Sequence, residues 1–280
     1  MTRSIHKATR YYSKRKKSVQ IIALLTDFGS RDQYVAAMKG VILSINPAVQ
    51  IVDITHEVQP QRTRQAGYLL WSVYKYFPKG SIFINIVDPE VGSVRRIIGV
   101  RTNHFTFLAP DNDLLDFIFS EEKVMEEIEV TKENAKKYML GEISSTFHGR
   151  DVFAPLAAHL SKGLPLKRLG VPLKPKSVSP QFVHSEEDTT NCCILHIDRF
   201  GNIITNLKMN DTGQVIEKLK VVSVGINLIS RVINCYDEAP TNTPCLIVGS
   251  NKLVEISVKN KSAAHLLDAT LDTPMKVYWQ

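Results

Sequence analysis

The strongest constraint on the fold is a regular alternation of short apolar runs and amphipathic segments in the first part of the chain. The apolar runs cover residues 20–26, 49–54 and 82–87, and β-branched side chains are frequent in them. Between these runs, apolar residues recur at helical spacing over residues 34–45 and 63–77. Such alternation predicts right-handed βαβ units and therefore a parallel sheet.

Each predicted strand is followed by a titratable residue, namely Asp27, His56 or Asp88. Because the carboxyl ends of parallel strands share one edge, and open α/β sheets bind ligands at that edge, these residues mark a candidate site. Asp88 is the strongest of them, since Pro89 ends the strand and Arg95 follows in the same loop. The alternative is an ordinary turn in which Asp88 caps backbone amides.

A second candidate loop contains His148 and leads into an apolar helical pattern that starts at Val152. The amides at a helix N-terminus favour anions and disfavour an imidazolium ion. A neutral His148 there can accept a proton or hold a water molecule. A histidine that only caps the turn explains the pattern equally well.

The character of the chain changes after residues 172–190, which are rich in proline and acidic residues and lack periodicity, so we interpret them as a linker. From residue 191 onward, short apolar strands alternate with turns, with one helical segment near residues 263–269, a pattern that fits a small barrel or sandwich. The predicted fold class is therefore α/β, with an N-terminal α/β domain and its mostly parallel sheet over residues 19–171. A smaller β-barrel-like C-terminal domain covers residues 191–280.

One loop of the second domain has an unusual composition, because the aromatic Phe200 stands between the polar residues Asp198 and Asn202. An aromatic ring flanked by polar groups is suited to binding a nucleobase. A Phe200 side chain buried in the core is the alternative.

Charge is concentrated in residues 1–18, which contain seven of the 35 basic residues and no acidic residue. Removing those seven leaves 28 basic against 28 acidic residues, so the remainder is electrically balanced and argues against a nucleic-acid partner. We expect the tail to be disordered. It lacks the apolar segment of a secretory signal, whereas an organellar presequence stays open.

The four cysteines are Cys192, Cys193, Cys235 and Cys245, and no Cys-x-x-Cys pair occurs. This usage argues against structural zinc and a disulfide framework and favours a reducing, cytoplasmic location. No run of 18 apolar residues is present, so we expect no membrane span.

Four motifs together resemble the S-adenosyl-L-methionine hydroxide adenosyltransferase family, which is related to the fluorinase and chlorinase. They occur in the family's order between residues 21 and 264 and are Thr26-Asp27-Phe28-Gly29, Val87-Asp88-Pro89-x-Val91-Gly92-x-x-Arg95, Phe147-His148-Gly149-Arg150-Asp151 and Asp198-x-Phe200-Gly201-Asn202. The resemblance implies hydrolysis of S-adenosyl-L-methionine to adenosine and L-methionine without a metal or cofactor. It also implies a homotrimer whose sites lie between neighbouring subunits.

The resemblance further assigns the reaction to three residues, because Asp88, Arg95 and His148 correspond to the family's water-activating trio. By the same resemblance, the fluorinase has two tyrosines at positions of this trio, and it has a serine where this chain has Gly149. A charged Asp88 and a titratable His148 suit water better than a halide. A halogenase of the same fold, a module that binds the substrate without turnover, and a nucleic-acid-binding protein that uses the basic tail are the alternatives.

Substrate contacts are also implied by the resemblance, on both sides of the linker. Asp27 would hold the ribose hydroxyls, and Asp32 and Asp198 would face the methionine ammonium. Phe200 and Tyr236 would stack on adenine, while Asn202 would pair with its polar edge and Ser250 would complete the set. This chain departs from the family's pattern at Glu90, where Gly is more frequent, and at Asn251, where the fluorinase has Arg.

Overall fold

The computed structural model describes residues 19–174, 176–183, 189–209 and 219–279. The basic tail predicted over residues 1–18 lies outside these ranges, as do residues 184–188 of the predicted linker. No helix within the described ranges combines the length and the apolar character that crossing a membrane requires.

The described part of the first domain is built on a seven-stranded sheet in the spatial order β2-β1-β3-β5-β4-β6-β7. Its strands are β1 (Ile21–Thr26), β2 (Gln50–Thr55), β3 (Ile82–Ile86), β4 (Ile97–Thr102), β5 (Thr106–Pro110), β6 (Val124–Val130) and β7 (Gly170–Pro172). The pairs among β2, β1, β3 and β5 are parallel, and the remaining pairs are antiparallel. Five of these seven described strands therefore run in one direction, which confirms the predicted mostly parallel sheet.

Helices cover both faces of this sheet, as the alternation of side chains along a buried strand requires. They are α1 (Tyr34–Ile45), α2 (Thr63–Val73), α3 (Asp116–Phe119), α4 (Lys132–Ala135) and α5 (Ala154–Ser161). On β1, Ile22 and Leu24 pack with α1 and α5, while Ala23 and Leu25 pack with α2 and α3. All five residues of β3 are buried, so the strand that precedes Asp88 lies at the centre of the domain.

The strands β6 and β7 were not predicted, because their sequences lack the pattern of a buried strand. β6 carries three glutamates and pairs with β4 through contacts such as the ion pair between Arg101 and Glu126, whose atoms lie 2.9 Å apart. The strand is held by pairing with a distant segment, and local composition does not reveal such pairing.

The second domain consists, in the described residues, of two four-stranded antiparallel sheets ordered β13-β14-β10-β9 and β12-β11-β15-β8. Its elements are β8 (Thr189–Cys192), β9 (Ile194–Ile197), β10 (Ile203–Lys208), β11 (Leu219–Val224), β12 (Asn227–Ile229), β13 (Cys245–Val248), β14 (Leu253–Ser257), α6 (Ala263–Leu266) and β15 (Met275–Trp279). Side chains from both sheets share one apolar core. Of the two predicted arrangements, the described strands form a sandwich rather than a closed barrel.

The two domains meet along α2. Gln65 of α2 lies 2.9 Å from Nδ1 of His196 on β9, and Tyr68 of α2 packs against the same imidazole ring. Further along the seam, Lys208 on β10 forms an ion pair with Glu121 of the first domain. These contacts hold the two domains together. They therefore fix the carboxyl edge of the first sheet relative to the loops of the second domain.

Candidate active site

The carboxyl edge of the first sheet brings Asp27 and Asp88 close together, because β1 and β3 are neighbours. Burial raises the pKa of Asp27, and the negative charge of Asp88 adds to that rise. The backbone N–H of Gln61 donates to Asp27 Oδ2 at 3.0 Å and opposes the shift. Two carboxylates therefore share this edge of the sheet, as the strand pattern predicts.

His56, the third residue of that predicted set, has structural partners instead. Its Nδ1 lies 2.8 Å from Thr26 Oγ1, and its Nε2 lies 3.2 Å from Asp53 Oδ1. The ring is buried and ties the end of β1 to the end of β2. His56 therefore has a structural role at this edge of the sheet, and we assign the chemical roles to other residues.

Arg95 folds back onto Asp88 and forms a two-pronged ion pair with it. Nε of Arg95 donates to both Asp88 oxygens at 2.8 Å, and Nη2 also donates to Oδ2. The two side chains are only 5% and 4% exposed, so solvent screens this pair weakly. The fold-back depends on Gly92, which has φ of 83° and lies so close to Ser145 that an added Cβ would sit 2.2 Å from its carbonyl oxygen.

His148 completes this cluster. Nη2 of Arg95 lies 2.9 Å from Nδ1 of His148. Because a guanidinium group can only donate, Nδ1 must accept, so the ring is neutral and carries its proton on Nε2. Burial lowers the pKa of His148, and the positive charge of Arg95 lowers it further, against smaller opposing effects of Asp88 and Asp151. The structure thus brings Asp88, Arg95 and His148 together.

A short π-helical turn, Gly149–Phe153, positions His148 at its N-terminal end and continues into α5. Single π-helical turns are frequent at functional sites. Asp151 stabilises the loop before this turn, since its Oδ2 accepts from the backbone N–H of Ser144 at 2.8 Å. The sequence predicted a helix N-terminus after His148, and the π-helical turn is its local form.

An aromatic wall flanks the trio, and the sequence analysis did not assign it. The ring centroids of Phe28, Tyr34 and Phe147 lie between 5.2 and 6.0 Å apart. A Cβ added at Gly149 would lie 3.3 Å from both Phe28 and Phe147 and 3.2 Å from Met38 Sδ. The wall supplies low-dielectric surface beside His148, and its sequence signal is that two of its rings, Phe28 and Phe147, belong to the site motifs.

The predicted base-binding loop is organised by Asp198. Its Oδ1 accepts from the backbone N–H groups of Phe200 and Asn202 at 2.9 and 2.8 Å, and its Oδ2 accepts from Asn202 Nδ2 at 2.9 Å. Gly201, with φ of 83°, allows a turn so tight that a Cβ there would lie 2.0 Å from Ser262 Oγ. This geometry turns Phe200 outward, where it is 76% exposed, and excludes the alternative of a core phenylalanine.

Phe200, Asn202 and Tyr236 line one open cavity of about 900 Å³ together with Asp198 and residues 258–262. Tyr236 begins a short 3₁₀ turn, Tyr236–Glu238, and is 49% exposed. A pair of exposed aromatic rings next to an amide side chain is suited to stacking on a nucleobase and pairing with its edge. The cavity thus brings together the residues predicted to bind adenine.

Two predicted substrate ligands lie outside these clusters. Asp32 is exposed just before α1, and Ser250 is exposed in the turn between β13 and β14. Across the described residues, no hydrogen bond, ion pair or ring contact joins the Asp88 cluster to Phe200 or Tyr236. We call the two clusters the trio half-site (Asp27, Asp88, Arg95, His148) and the base half-site (Asp198, Phe200, Asn202, Tyr236).

Glu255 is a residue near the base half-site that the sequence analysis missed. The phenol of Tyr236 donates to its Oε2 at 3.3 Å. Its sequence signal is that Glu255 is the one charged residue within strand β14. In the described ranges, no group of three or more His, Cys, Asp and Glu side chains is arranged to hold a metal ion.

Family models match most of the chain. Models described as the SAM hydroxide adenosyltransferase N-terminal and C-terminal domains match residues 22–170 and 192–276, respectively. The sequence is 33% identical to an (R)-S-adenosyl-L-methionine hydrolase of Thermus thermophilus over 262 residues, which cover 91% of this chain and 98% of the relative. A fluorinase of Actinoplanes sp. is 28% identical over 220 residues, covering 68% of this chain and 72% of the fluorinase.

A solved structure has the same overall fold. The crystal structure of an uncharacterized conserved protein from Thermotoga maritima is similar with a TM-score of 0.82 and 32% identity. The similarity covers 92% of this chain and 99% of that chain, so it includes both domains.

Proposed function

This chain belongs to the SAM hydroxide adenosyltransferase family, and from that premise we propose that it hydrolyses S-adenosyl-L-methionine to adenosine and L-methionine. The name of the Thermus thermophilus hydrolase, which is similar along nearly its whole length, supports this activity. The observation that carries the proposal is the partly buried contact between Arg95 and a neutral His148, next to the buried carboxylate of Asp88. Such a cluster can orient and polarise a water molecule at a protected position.

The chemistry of the substrate explains why this cluster suffices. The water oxygen attacks ribose C5′, the bond from C5′ to sulfur breaks, and its electron pair returns to sulfur, which leaves as the neutral thioether of methionine. No acid is needed for this leaving group. Bulk water has a pKa of about 15.7, so the protein must supply an aligned water molecule and an acceptor for its proton.

We assign the proton to Asp88 and the orientation of the water to His148. Nδ1 of His148 is occupied by Arg95, which leaves an Nε2–H that can donate to the water oxygen. The carboxylate of Asp88 retains acceptor capacity beyond its bonds to Arg95. The Arg95 cation stabilises the hydroxide character that develops during attack. Asp27 would bind the ribose hydroxyls beside this trio.

The remaining proposed substrate contacts lie in the base half-site and in two exposed loops. Phe200 and Tyr236 would stack on adenine, and Asn202 would pair with its edge. Asp198 both shapes this loop and would face the methionine moiety together with Asp32 and Ser250. The cavity that Asp198, Phe200, Asn202 and Tyr236 line together supports the contacts of the base half-site.

The name of the Thermus thermophilus relative specifies the configuration of that protein's substrate. In that name, L describes the methionine α-carbon, so (R) describes the sulfonium sulfur. We propose the same preference for this chain. Incubation with each sulfonium epimer separately, with disappearance of each measured by chiral chromatography, tests it, and faster loss of the (S) epimer would refute it.

Assembly into a homotrimer with shared sites is also part of the proposal. The two half-sites make no direct contact within the described residues, and this agrees with a site that a neighbouring subunit completes. Exposed apolar side chains near both half-sites, such as Val94 and Phe200, offer surface for such a contact. The free cysteines support a reducing compartment, for which we propose the cytoplasm.

The halogenase alternative is less well supported by the geometry at Gly149. A serine there would place its Cβ within 3.3 Å of Met38, Phe28 and Phe147, which leaves little room to bind a halide beside it. The greater similarity to the hydrolase than to the fluorinase points the same way.

The proposed function is tested by incubating the purified protein with S-adenosyl-L-methionine and EDTA and separating the products by chromatography. We expect adenosine and methionine in equal amounts, with EDTA having no effect and Asp88→Ala abolishing most of the activity. Binding without product would favour the module without turnover, and a 5′-halogenated nucleoside in chloride or fluoride would favour the halogenase.

A further inference from the structure

Glu255 lies behind the base half-site and is in contact with its exposed tyrosine. The hydroxyl of Tyr236 donates to Glu255 Oε2 at 3.3 Å, which links the 3₁₀ turn that carries Tyr236 to β14. Burial raises the pKa of Tyr236, and the nearby Glu255 raises it further, so the phenol keeps its proton and remains a donor. The hydroxyl end of the exposed Tyr236 ring is therefore held by its hydrogen bond to Glu255.

The position of the Glu255 carboxylate depends on the absence of a side chain at residue 249. A Cβ added at Gly249 would lie 1.7 Å from Oε1 and 2.4 Å from Cδ of Glu255. The carboxylate thus fills the space above the Gly249 backbone, in the turn that joins β13 to β14. Any side chain at this position would displace the flexible end of Glu255.

The surroundings of Glu255 show that it is not a member of a simple ion pair. Burial raises the pKa of Glu255, the Tyr236 bond lowers it, and the charge of Asp198 raises it again. Across the part of the chain that the structure describes, no salt bridge joins Glu255 to a lysine or arginine. Burial raises the pKa of Tyr68 of α2 to about 12, against the opposing effect of a hydrogen bond with Asn251, and the charges of Glu255 and Asp198 add smaller increases.

From this geometry we propose that Glu255 is a positioning residue for substrate recognition, which holds the Tyr236 ring in the orientation that stacks on the adenine base. This inference rests on the proposed function for the identity of the base. Tyr236 touches the substrate, and Glu255 acts through it. Gly249 is the residue that makes room for the carboxylate.

The proposal predicts a defect in binding with little change in the chemical step. Glu255→Ala removes the acceptor, and Tyr236→Phe removes the donor but keeps the ring. Gly249→Ala displaces the carboxylate without changing either Glu255 or Tyr236. We expect each to weaken adenosine binding about fivefold to tenfold, the range expected from losing one hydrogen bond. Because the trio is untouched, kcat should change less than about twofold while KM rises.

Glu255→Gln is the matched control, because its amide oxygen can still accept the Tyr236 proton. We expect it to bind adenosine within about twofold of the unchanged protein. A double variant, Glu255→Ala with Tyr236→Phe, should be no weaker than either single variant, since both remove the same bond.

Binding is measured by titration calorimetry with adenosine, and unfolding temperature is recorded for every variant. If Glu255→Gln binds as weakly as Glu255→Ala, or if Tyr236→Phe binds adenosine normally, the positioning role is wrong. Equal loss of kcat and binding with a lowered unfolding temperature would also overturn it in favour of a structural role. Because adenosine binding is read directly, the inference can succeed or fail independently of whether the protein hydrolyses S-adenosyl-L-methionine.

Discussion

The guanidinium of Arg95 donates from Nη2 to Nδ1 of His148 at 2.9 Å, which fixes the remaining ring proton on Nε2. This one contact decides how the trio is expected to work. It makes His148 a donor toward the water molecule and leaves Asp88 as the proton acceptor.

Substitutions in the trio should lower turnover without a comparable loss of substrate affinity. We expect Asp88→Ala and His148→Ala each to lower kcat by roughly 10²-fold or more, because they act mainly in the transition state. Single-turnover rates and equilibrium binding of S-adenosyl-L-methionine measure the two effects separately. Equal losses of binding and turnover would make these residues substrate ligands instead.

Conservative variants separate the two roles within the trio. His148→Gln keeps an N–H donor near the position of Nε2, whereas Asp88→Asn removes the proton acceptor at nearly constant shape. We therefore expect His148→Gln to retain at least about tenfold more activity than Asp88→Asn. The opposite order would assign the proton to His148, and the unfolding temperature of each variant controls for loss of the Arg95 ion pair.

The pH dependence follows from the lowered pKa of His148. Burial and the Arg95 cation disfavour the imidazolium form, so the neutral ring persists to pH values below the ordinary value of 6.5. As pH falls through the lowered pKa, protonated Nδ1 would face the Arg95 cation and the trio would come apart. We expect kcat/KM to be flat from pH 7 upward toward pH 8 and to fall only below 6.5, with this acid limb shifted or absent in His148→Gln. A decline that begins above pH 7 would contradict this account.

The seam between the domains gives a prediction for stability. Burial alone would raise the pKa of Glu121, but hydrogen bonds from Lys208 and Lys75 outweigh it and bring the pKa to about 2. The Lys208 ammonium also lies 4.5 Å from the ring centroid of Phe182 and 5.1 Å from that of Trp71. Lys208→Met should cost about 2 kcal/mol and lower the unfolding temperature by roughly 4–8 °C.

The matched control is Lys39→Met, which breaks the more exposed pair with Asp53 and should cost less than about 1 kcal/mol. Because the folded pKa of Glu121 is lowered, its contribution is fully present above the ordinary value of 4.5 and is lost as pH falls toward 2. The difference between Lys208→Met and the unchanged protein should therefore shrink over that range. Equal effects of both lysine substitutions at neutral pH would show that the seam does not depend on this ion pair.

Shared sites can be tested by mixing subunits with complementary defects. Asp88→Ala damages the trio half-site and Asn202→Ala damages the base half-site, so each should be nearly inactive alone. Random co-assembly of equal amounts should restore about a quarter of the sites, since each of the two contributing chains is intact in half of the cases. No recovery in co-expressed protein that is shown to form mixed oligomers would place the whole site within one chain.

Local sequence patterns predicted the parallel strands β1, β2 and β3 and missed the antiparallel strands β6 and β7. β1, β2 and β3 were predicted to within about one residue. β1 and β3 are buried on both faces and have nearly continuous apolar sequences, whereas β2 is a partly exposed edge strand that is still rich in β-branched residues. The strands β6 and β7 depend on pairing with distant segments, since β6 carries three glutamates and β7 has only three residues. Pairing of that kind leaves no periodic signal in a single sequence.

The candidate site divides in the same way. The sequence predicted that Asp27 and Asp88 lie close together, because each follows a strand of the same parallel sheet. The motif around His148 added a third residue to the predicted site. The structural use of His56 and the link from Tyr236 to Glu255 were not predicted, because each depends on a side chain brought near by the tertiary fold. Likewise, the hydrogen bonds that Asp198 makes within its own loop become apparent from the turn geometry at Gly201.

Isotope labelling tests the central claim most directly, because it follows the oxygen atom that the trio is proposed to activate. The reaction is run in water enriched in heavy oxygen, with EDTA present, and the adenosine product is analysed by mass spectrometry. We predict one heavy oxygen per adenosine, located on the 5′-hydroxyl, in the proportion of the solvent enrichment. Adenosine without label would contradict direct attack of solvent water at C5′ and with it the proposed role of Asp88, Arg95 and His148.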